Sequence, residues 1–99
     1  MNIQTTKNGT TLTLAVEGHI DVVTAPLLEK TLNEQWDGVT ELVLDFSAVS
    51  FISSAGLRVL MWAYKQMNAR QGKMVLRHVR DEVKEIFDLT GLSAYLNVS

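Results

Sequence analysis

The sequence predicts a single α/β domain, residues 1–99, in which about three to four helices pack on a mixed sheet of about four to five strands. Extended apolar runs alternate along the chain with segments of helical apolar spacing, which is typical of βαβ units. An Asn8-Gly9 turn signal near the start adds an antiparallel hairpin. The length of 99 residues suits one hydrophobic core without covalent cross-links.

The first part of the chain predicts the hairpin and a helix. Residues 3–6 and 10–17 have the pattern of two strands, and the second strand alternates apolar and polar side chains. Thr24 is expected to cap the following helix, because Pro26 then lies in the first turn, where its missing N–H is tolerated. This helix is expected to end near Asp37, before a strand that begins close to residue 41.

The central part predicts a buried strand, a tight loop and a long helix. Residues 42–46 are nearly all apolar, as expected for a strand that is covered on both faces. After the loop, a helix is expected to open at Ser53-Ser54 and to extend to about Arg70. Its apolar stripe is expected to contain Leu57, Leu60, Met61, Tyr64 and Met67. Val59 and Trp62 lie off this stripe, so they belong either to a wider apolar face or to an exposed interface.

The last third predicts a strand, a helix and a short final strand. Residues 73–79 suit a strand close to a sheet edge, because charges bound the apolar run. A third helix is expected from Asp81 to Gly91, where the glycine ends it. Its apolar face is expected to contain Val83, Ile86, Phe87 and Leu89. Residues 92–98 are expected to add the last strand.

Composition excludes several classes of function. Nine basic and eleven acidic residues give a net charge of −2, so we expect no nucleic-acid partner. No apolar run approaches the ~20 residues needed to span a bilayer, so we expect no direct membrane insertion. The absence of cysteine excludes thiolate metal sites and agrees with a cytoplasmic location. Neither histidine lies at a metal-ligand spacing and the glycines form no P-loop, so we expect no metal and no cofactor. We expect no enzymatic activity, because Ile52 replaces the first glycine of a nucleophile elbow around Ser54 and no patterned base accompanies the serine.

The serines at the start of the central helix have two interpretations. A hydroxyl at this position can cap the helix by accepting a bond from an unpaired backbone N–H. Alternatively, Ser54 can receive a phosphate, which the N–H groups and the helix dipole would tolerate. Arg58 lies four residues further on, within reach of the same helix end. Asp21, in the loop before the first helix, is expected to bond the local backbone.

A family resemblance favours the second interpretation. Residues 42–57 read Leu-Val-Leu-Asp-Phe-Ser-Ala-Val-Ser-Phe-Ile-Ser-Ser-Ala-Gly-Leu, which is similar to the signature of the STAS-domain anti-sigma-factor antagonists. Matched by position, the family's phosphorylatable serine falls on Ser54, and its small-Gly-Leu sequence falls on Ala55, Gly56 and Leu57. Ser53 stands where the family often has Asp, which leaves Ser53 as the alternative acceptor.

The resemblance implies a STAS-like fold and a binding switch that regulates bacterial transcription. The unphosphorylated domain is expected to bind a cognate anti-sigma factor that is also a serine kinase, and so to release a sigma factor. Phosphorylation would weaken this binding, and a serine phosphatase would restore it. The expected partner surface contains Asp21, Thr24, Ser53, Ser54, Ala55, Gly56 and Arg58.

An alternative is compatible with the same fold. The chain would then be a STAS module in another complex, such as one associated with a transporter, or a sensor of a small ligand or nucleotide. In that case Ser54 is only a helix cap.

Overall fold

The computed structural model describes residues 1–99 and contains five strands and three α-helices. Their bounds are β1 Asn2–Asn8, β2 Thr11–Ile20, α1 Ala25–Gln35, β3 Glu41–Ile52, α2 Ser54–Ala69, β4 Lys73–Arg77, α3 Asp81–Thr90 and β5 Asn97–Val98. The strands lie in one sheet in the order β1-β2-β3-β4-β5. β1 is antiparallel to β2, and all other neighbours are parallel. This mixed sheet with helices confirms the predicted fold class.

The helices cover one face of the sheet. Across the sheet, Leu14 pairs with Leu44, and Leu44 pairs with Leu76, so that three leucines lie side by side. All three are fully buried and join the buried residues of α1, α2 and α3 in one hydrophobic cluster. Val43, which points to the opposite face, is buried outside that cluster. The alternating pattern of β2 therefore arises because only one sheet face is packed against helices.

The prediction of a tight loop between the central strand and the central helix is wrong. β3 continues to Ile52, and Ser53 alone separates it from α2. The strand is long because β2 also extends to Ile20 and keeps pairing with it through two irregularities, between Ala15 and Glu17 and between Gly18 and His19. Such bulges absorb a change of register while preserving the pairing beyond it. The Ile20–Ile52 pair lies directly before the start of α2.

The apolar face of α2 is wider than predicted. Met61 and Tyr64 are only half-buried, whereas Val59 and Ala63 are buried in the core. The half-buried Trp62 packs on Trp36 at the end of α1, with 4.7 Å between ring centroids. Because α2 packs against both the sheet and α1, its buried face spans more than one stripe. Val59 therefore belongs to the wide apolar face, and Trp62 contributes to the packing of α1 on α2.

The chain leaves α2 and α3 in different ways. After α2, Gln71 adopts the left-handed conformation, with φ of 57°. A side chain at Gly72 would place its Cβ 2.7 Å from the carbonyl oxygen of Thr40, so close approach explains this glycine. Leu89 does not join the apolar face of α3, because it is 79% exposed. Gly91 ends α3 with φ of 81°, as predicted.

Candidate functional site

The start of α2 is fixed to the end of β2 by the backbone. Ser53 is the N-cap residue, with φ of −91° and ψ of 175°. Its N–H donates a hydrogen bond of 2.8 Å to the carbonyl of Ile20, and its own carbonyl accepts a bond of 3.0 Å from the N–H of Leu57. The first turn of α2 is therefore held beside the loop that follows β2.

Ser54 is the first residue of α2, and its side chain is exposed. The first N–H groups of a helix have no intrahelical partner and lie at the positive end of the dipole. No acidic residue occupies the first turn of α2. A phosphate on Ser54 would therefore lie at a helix end that favours negative charge, without a carboxylate of that turn to repel it.

Ser53 occupies a different environment from its neighbour. Its hydroxyl is buried and has no hydrogen-bond partner, and no side-chain capping bond forms at this helix start. The prediction that a serine hydroxyl caps the helix is therefore wrong, although Ser53 does occupy the N-cap position. The two adjacent serines differ in access: solvent reaches Ser54, whereas the Ser53 oxygen is enclosed.

Asp21 organises the loop between β2 and α1. Its carboxylate accepts hydrogen bonds from the N–H groups of Val23 at 2.9 Å and Thr24 at 3.0 Å. These donors, with the Thr24 N–H the stronger influence, hold the pKa of the Asp21 carboxyl below its ordinary value. The Thr24 hydroxyl accepts a bond from the Asp21 N–H and donates one to the carbonyl of His19, both at 2.8 Å. The local backbone role predicted for Asp21 is confirmed.

Thr24 occupies the N-cap position of α1, but its hydroxyl makes no capping bond to the helix. That hydroxyl instead closes the loop, and the N–H of Ala25 donates to the carbonyl of Asp21 at 2.8 Å. Both predicted loop residues therefore stiffen the segment that precedes α1. Neither requires a partner protein for its hydrogen bonds.

This stiffened loop presents two apolar side chains to solvent, a feature not predicted from the sequence. Val22 is 74% exposed and Val23 is 75% exposed. Two adjacent exposed apolar side chains in a loop with a fixed backbone can contribute to a contact surface where they adjoin other apolar surface. The signal in the sequence was a pair of β-branched apolar residues between the turn-forming Asp21 and Thr24.

A groove of about 450 Å³ runs between the first turns of α1 and α2. Its lining residues are Val22, Ala25, Pro26, Glu29, Ala55, Arg58, Val59 and Trp62. Ala55 directly follows Ser54, so the exposed serine lies at the margin of this mainly apolar surface. We call the lining residues the α1–α2 groove. An apolar groove with one acidic and one basic residue is suited to binding an amphipathic segment of another protein.

The structure brings most of the predicted partner surface to one end of the fold. Ala55 and Arg58 line the α1–α2 groove together with Val22, whose backbone is ordered by Asp21 and Thr24. Gly56 differs, because it is buried. A Cβ at this position would lie 2.6 Å from Ile52 and 2.7 Å from Ile20, so Gly56 permits close packing and is not available for contact.

Other types of site are not found. The structure contains no group of three or more His, Cys, Asp or Glu side chains arranged to hold a metal ion. None of its helices combines the length and the apolar character needed to cross a membrane.

The chain belongs to the STAS domain family, whose model matches residues 2–99. It is 35% identical over 89 residues to BtrV of Bordetella bronchiseptica, a candidate anti-sigma factor antagonist, with 89% of this chain and 77% of BtrV covered. It is 29% identical over 100 residues to the anti-sigma-B factor antagonist of Staphylococcus aureus, covering 100% of this chain and 93% of that protein. The resemblance seen in residues 42–57 is thereby confirmed.

Solved structures show the same fold. The unphosphorylated form of the anti-sigma factor antagonist SpoIIAA matches with a TM-score of 0.85 at 18% identity, covering 99% of this chain and 88% of that one. The phosphorylated form of SpoIIAA from Bacillus matches with a TM-score of 0.78 at 17% identity, covering 99% of this chain and 91% of that one. At this identity the likeness concerns the fold alone.

Proposed function

We propose that this protein is an anti-sigma-factor antagonist whose binding to a cognate anti-sigma factor is controlled by phosphorylation of Ser54. The observation that supports this most is the exposed Ser54 hydroxyl at the first residue of α2, at the margin of the α1–α2 groove. Relatives named as anti-sigma factor antagonists support the same function. In this proposal the unmodified chain binds the anti-sigma factor, which then releases a sigma factor for transcription.

The binding surface in this proposal combines the α1–α2 groove with the exposed valines of the preceding loop. Val22 belongs to both, and Val23 extends the apolar area. Because the Asp21 bonds already order this loop, docking costs little additional conformational entropy. An apolar segment of the anti-sigma factor would occupy the groove, and Ser54 would lie near the edge of the contact.

The phosphorylation step is performed by the partner. The anti-sigma factor, acting as a serine kinase, binds ATP, which is the phosphoryl donor. The Ser54 hydroxyl oxygen attacks the γ-phosphorus, its proton passes to a base of the kinase, and ADP leaves. Ser54 is the proposed acceptor rather than Ser53, because the Ser53 oxygen is buried and could not reach another protein's active site without opening the helix start.

Phosphorylation would then weaken the complex without unfolding the domain. The phosphate adds a charge of about −1.5 to −2 near neutral pH at the edge of the contact, where repulsion and desolvation oppose docking. The helix start tolerates the charge. A serine phosphatase would hydrolyse the phosphate ester and restore binding. The chain itself would act as a binding protein in the cytoplasm, and the catalytic steps would belong to its partners.

The test is to incubate the protein with its cognate anti-sigma kinase and ATP, and to map the phosphate by mass spectrometry. We expect phosphate on Ser54, none on the Ser54→Ala variant, and unchanged labelling of Ser53→Ala, which is the matched control. Ser54→Asp should bind the kinase more weakly than Ser54→Ala. Labelling of Ser53, or binding of Ser54→Asp as tight as that of the unmodified protein, would overturn the proposal.

A further inference from the structure

Arg58 has a free guanidinium beside the α1–α2 groove. It is exposed, and it forms no hydrogen bond or ion pair with another group of the chain. Two other arginines already form hydrogen bonds within the chain. Arg70 donates to the carbonyl of Trp36 at 2.6 Å, and Arg80 donates to the carbonyl of Ser47 at 3.0 Å. Folding therefore leaves the Arg58 guanidinium available for an anion at this end of the molecule.

Ser54 and Arg58 are separated by one helical turn. Both lie in α2, four residues apart, and both side chains are exposed. Side chains at this spacing lie on the same helix face, with about 5–6 Å between their Cβ atoms. An anion preceding a cation by four residues is also the favourable order along a helix. The long guanidinium side chain can therefore reach a phosphate ester on Ser54 without any change in the backbone.

The charged groups around Arg58 do not compete strongly for it. Glu29 of α1 lines the same groove, but it forms no ion pair with Arg58. Asp21 and His19 lie in and before the loop that precedes α1, and the Asp21 carboxylate already accepts two backbone N–H groups. The first turn of α2 contains no acidic residue. A doubly ionised phosphate would attract Arg58 more strongly than any of these groups does.

We propose that Arg58 binds the phosphate of phosphorylated Ser54 within the same helix, as an internal ion pair. This inference rests on the proposed function, because it describes the phosphorylated state of that site. Arginine matches the oxygens of a phosphate with two parallel N–H donors, which a single ammonium group does not. Because Arg58 also lines the α1–α2 groove, the pair moves the guanidinium toward the helix start. Phosphorylation then changes both the shape and the charge of the groove margin.

The experiment uses the 99-residue protein with phosphoserine incorporated at position 54, so that no kinase is required. The second pKa of the phosphate is measured by ³¹P NMR titration in the parent, in Arg58→Gln and in Lys65→Gln. The last is the matched control, because it removes one positive charge from an exposed position three turns along the same helix. We expect Arg58→Gln to raise the phosphate pKa by about half a unit or more, and Lys65→Gln to leave it unchanged.

A second readout comes from the Arg58 side chain itself. In the parent, phosphoserine at position 54 should shift the Nε–H signal of Arg58 and slow its exchange with water. Equal titrations of the Arg58→Gln and Lys65→Gln proteins would overturn the inference, as would an Arg58 signal that phosphorylation does not move. The proposed function is tested separately, because it fails if the kinase does not label Ser54.

Discussion

The backbone N–H of Ser53 lies 2.8 Å from the carbonyl oxygen of Ile20 and donates a hydrogen bond to it. This bond joins the end of β2 to the start of α2, two places that are more than thirty residues apart along the chain. It holds the loop ordered by Asp21 beside the start of α2, where Ser54 is exposed. Interactions that keep this junction closed should affect both stability and partner binding.

The junction depends on the absence of a side chain at Gly56. A Cβ there would lie 2.6 Å from Ile52 and 2.7 Å from Ile20, closer than unstrained contacts allow. We expect Gly56→Ala to lower the free energy of unfolding by about 1–3 kcal/mol, as measured by urea denaturation. Gln66→Ala, at an exposed position of the same helix, is the control and should change it by less than about 0.5 kcal/mol. Equal stability of the two variants would show that the junction has room for a methyl group.

The exposed valine of the groove should contribute to partner affinity and not to folding. Val22→Ser should raise the Kd for the anti-sigma factor by about tenfold, because a well-placed apolar contact contributes about 1–2 kcal/mol. Its unfolding midpoint should not change, since the side chain is 74% exposed. Leu89→Ser is the matched control, at a position 79% exposed on α3, outside the groove. Similar losses of affinity in both variants would argue against a localised contact, and so would no loss in either.

The packing of α1 on α2 depends on the two tryptophans. Their ring centroids are 4.7 Å apart, and the guanidinium of Arg70 lies 5.2 Å from the Trp36 ring centroid. We expect Trp62→Ala to lower the free energy of unfolding by about 2–3 kcal/mol, less than for a fully buried aromatic residue. Trp62→Phe should lose about half as much. Denaturation curves of the three proteins measure this, and a Trp62→Ala protein as stable as the parent would show that the stacking is not significant.

Asp45 should make stability depend on pH in the acid range. Its carboxylate accepts the N–H of Ser47 at 3.0 Å and lies 3.3 Å from a ring nitrogen of His78. The Ser47 N–H, followed by the Ser47 hydroxyl and then His78, holds the pKa of the Asp45 carboxyl below its ordinary value of 3.8. Because the folded-state pKa is below the unfolded one, the stabilisation is present above pH 3.8 and disappears as the pH falls through the folded-state value.

The variant that tests this is Asp45→Asn. At pH 7 it should be less stable than the parent by about 0.5–1 kcal/mol, a small value because the carboxylate is partly exposed. The difference should shrink as the pH falls below 3.8. Urea unfolding at a series of pH values measures it, with Glu85→Gln, an exposed carboxylate, as the control. A difference that stays constant with pH would mean that the charge of Asp45 is not involved.

Much of the fold could be predicted because local signals agree with the final packing. The hairpin, the alternation in β2, Gly91 at the end of α3 and the start of α2 at Ser54 are all found in the structure. The hairpin turn itself lies one residue later than predicted, at Gly9-Thr10, because Asn8 still pairs with Thr11. The predictions that are wrong depend on partners distant in sequence. The length of β3 follows from its pairing with β2, and Leu89 is exposed because no element covers that side of α3. Neither the length of β3 nor the exposure of Leu89 can be predicted from neighbouring residues in the sequence.

The candidate site was predictable in part for the same reason. Ser54 and Arg58 follow from position on one helix, and Asp21 from the chemistry of turns. The groove requires α1 to lie beside α2, which the apolar spacing does not specify. The Ser53 hydroxyl is buried only in the folded chain, where the end of β2 and the start of α2 meet, and no local sequence pattern distinguishes the two serines in access.

The most direct measurement of the central claim is the affinity of the cognate anti-sigma factor for protein containing phosphoserine at position 54, by calorimetry, beside the unmodified protein. Phosphoserine at Ser93, an exposed position outside the groove, is the control. We predict that phosphate at position 54 raises the Kd at least about tenfold and that phosphate at position 93 leaves it unchanged. Equal affinity of the unmodified protein and the form phosphorylated at Ser54 would contradict the proposed switch.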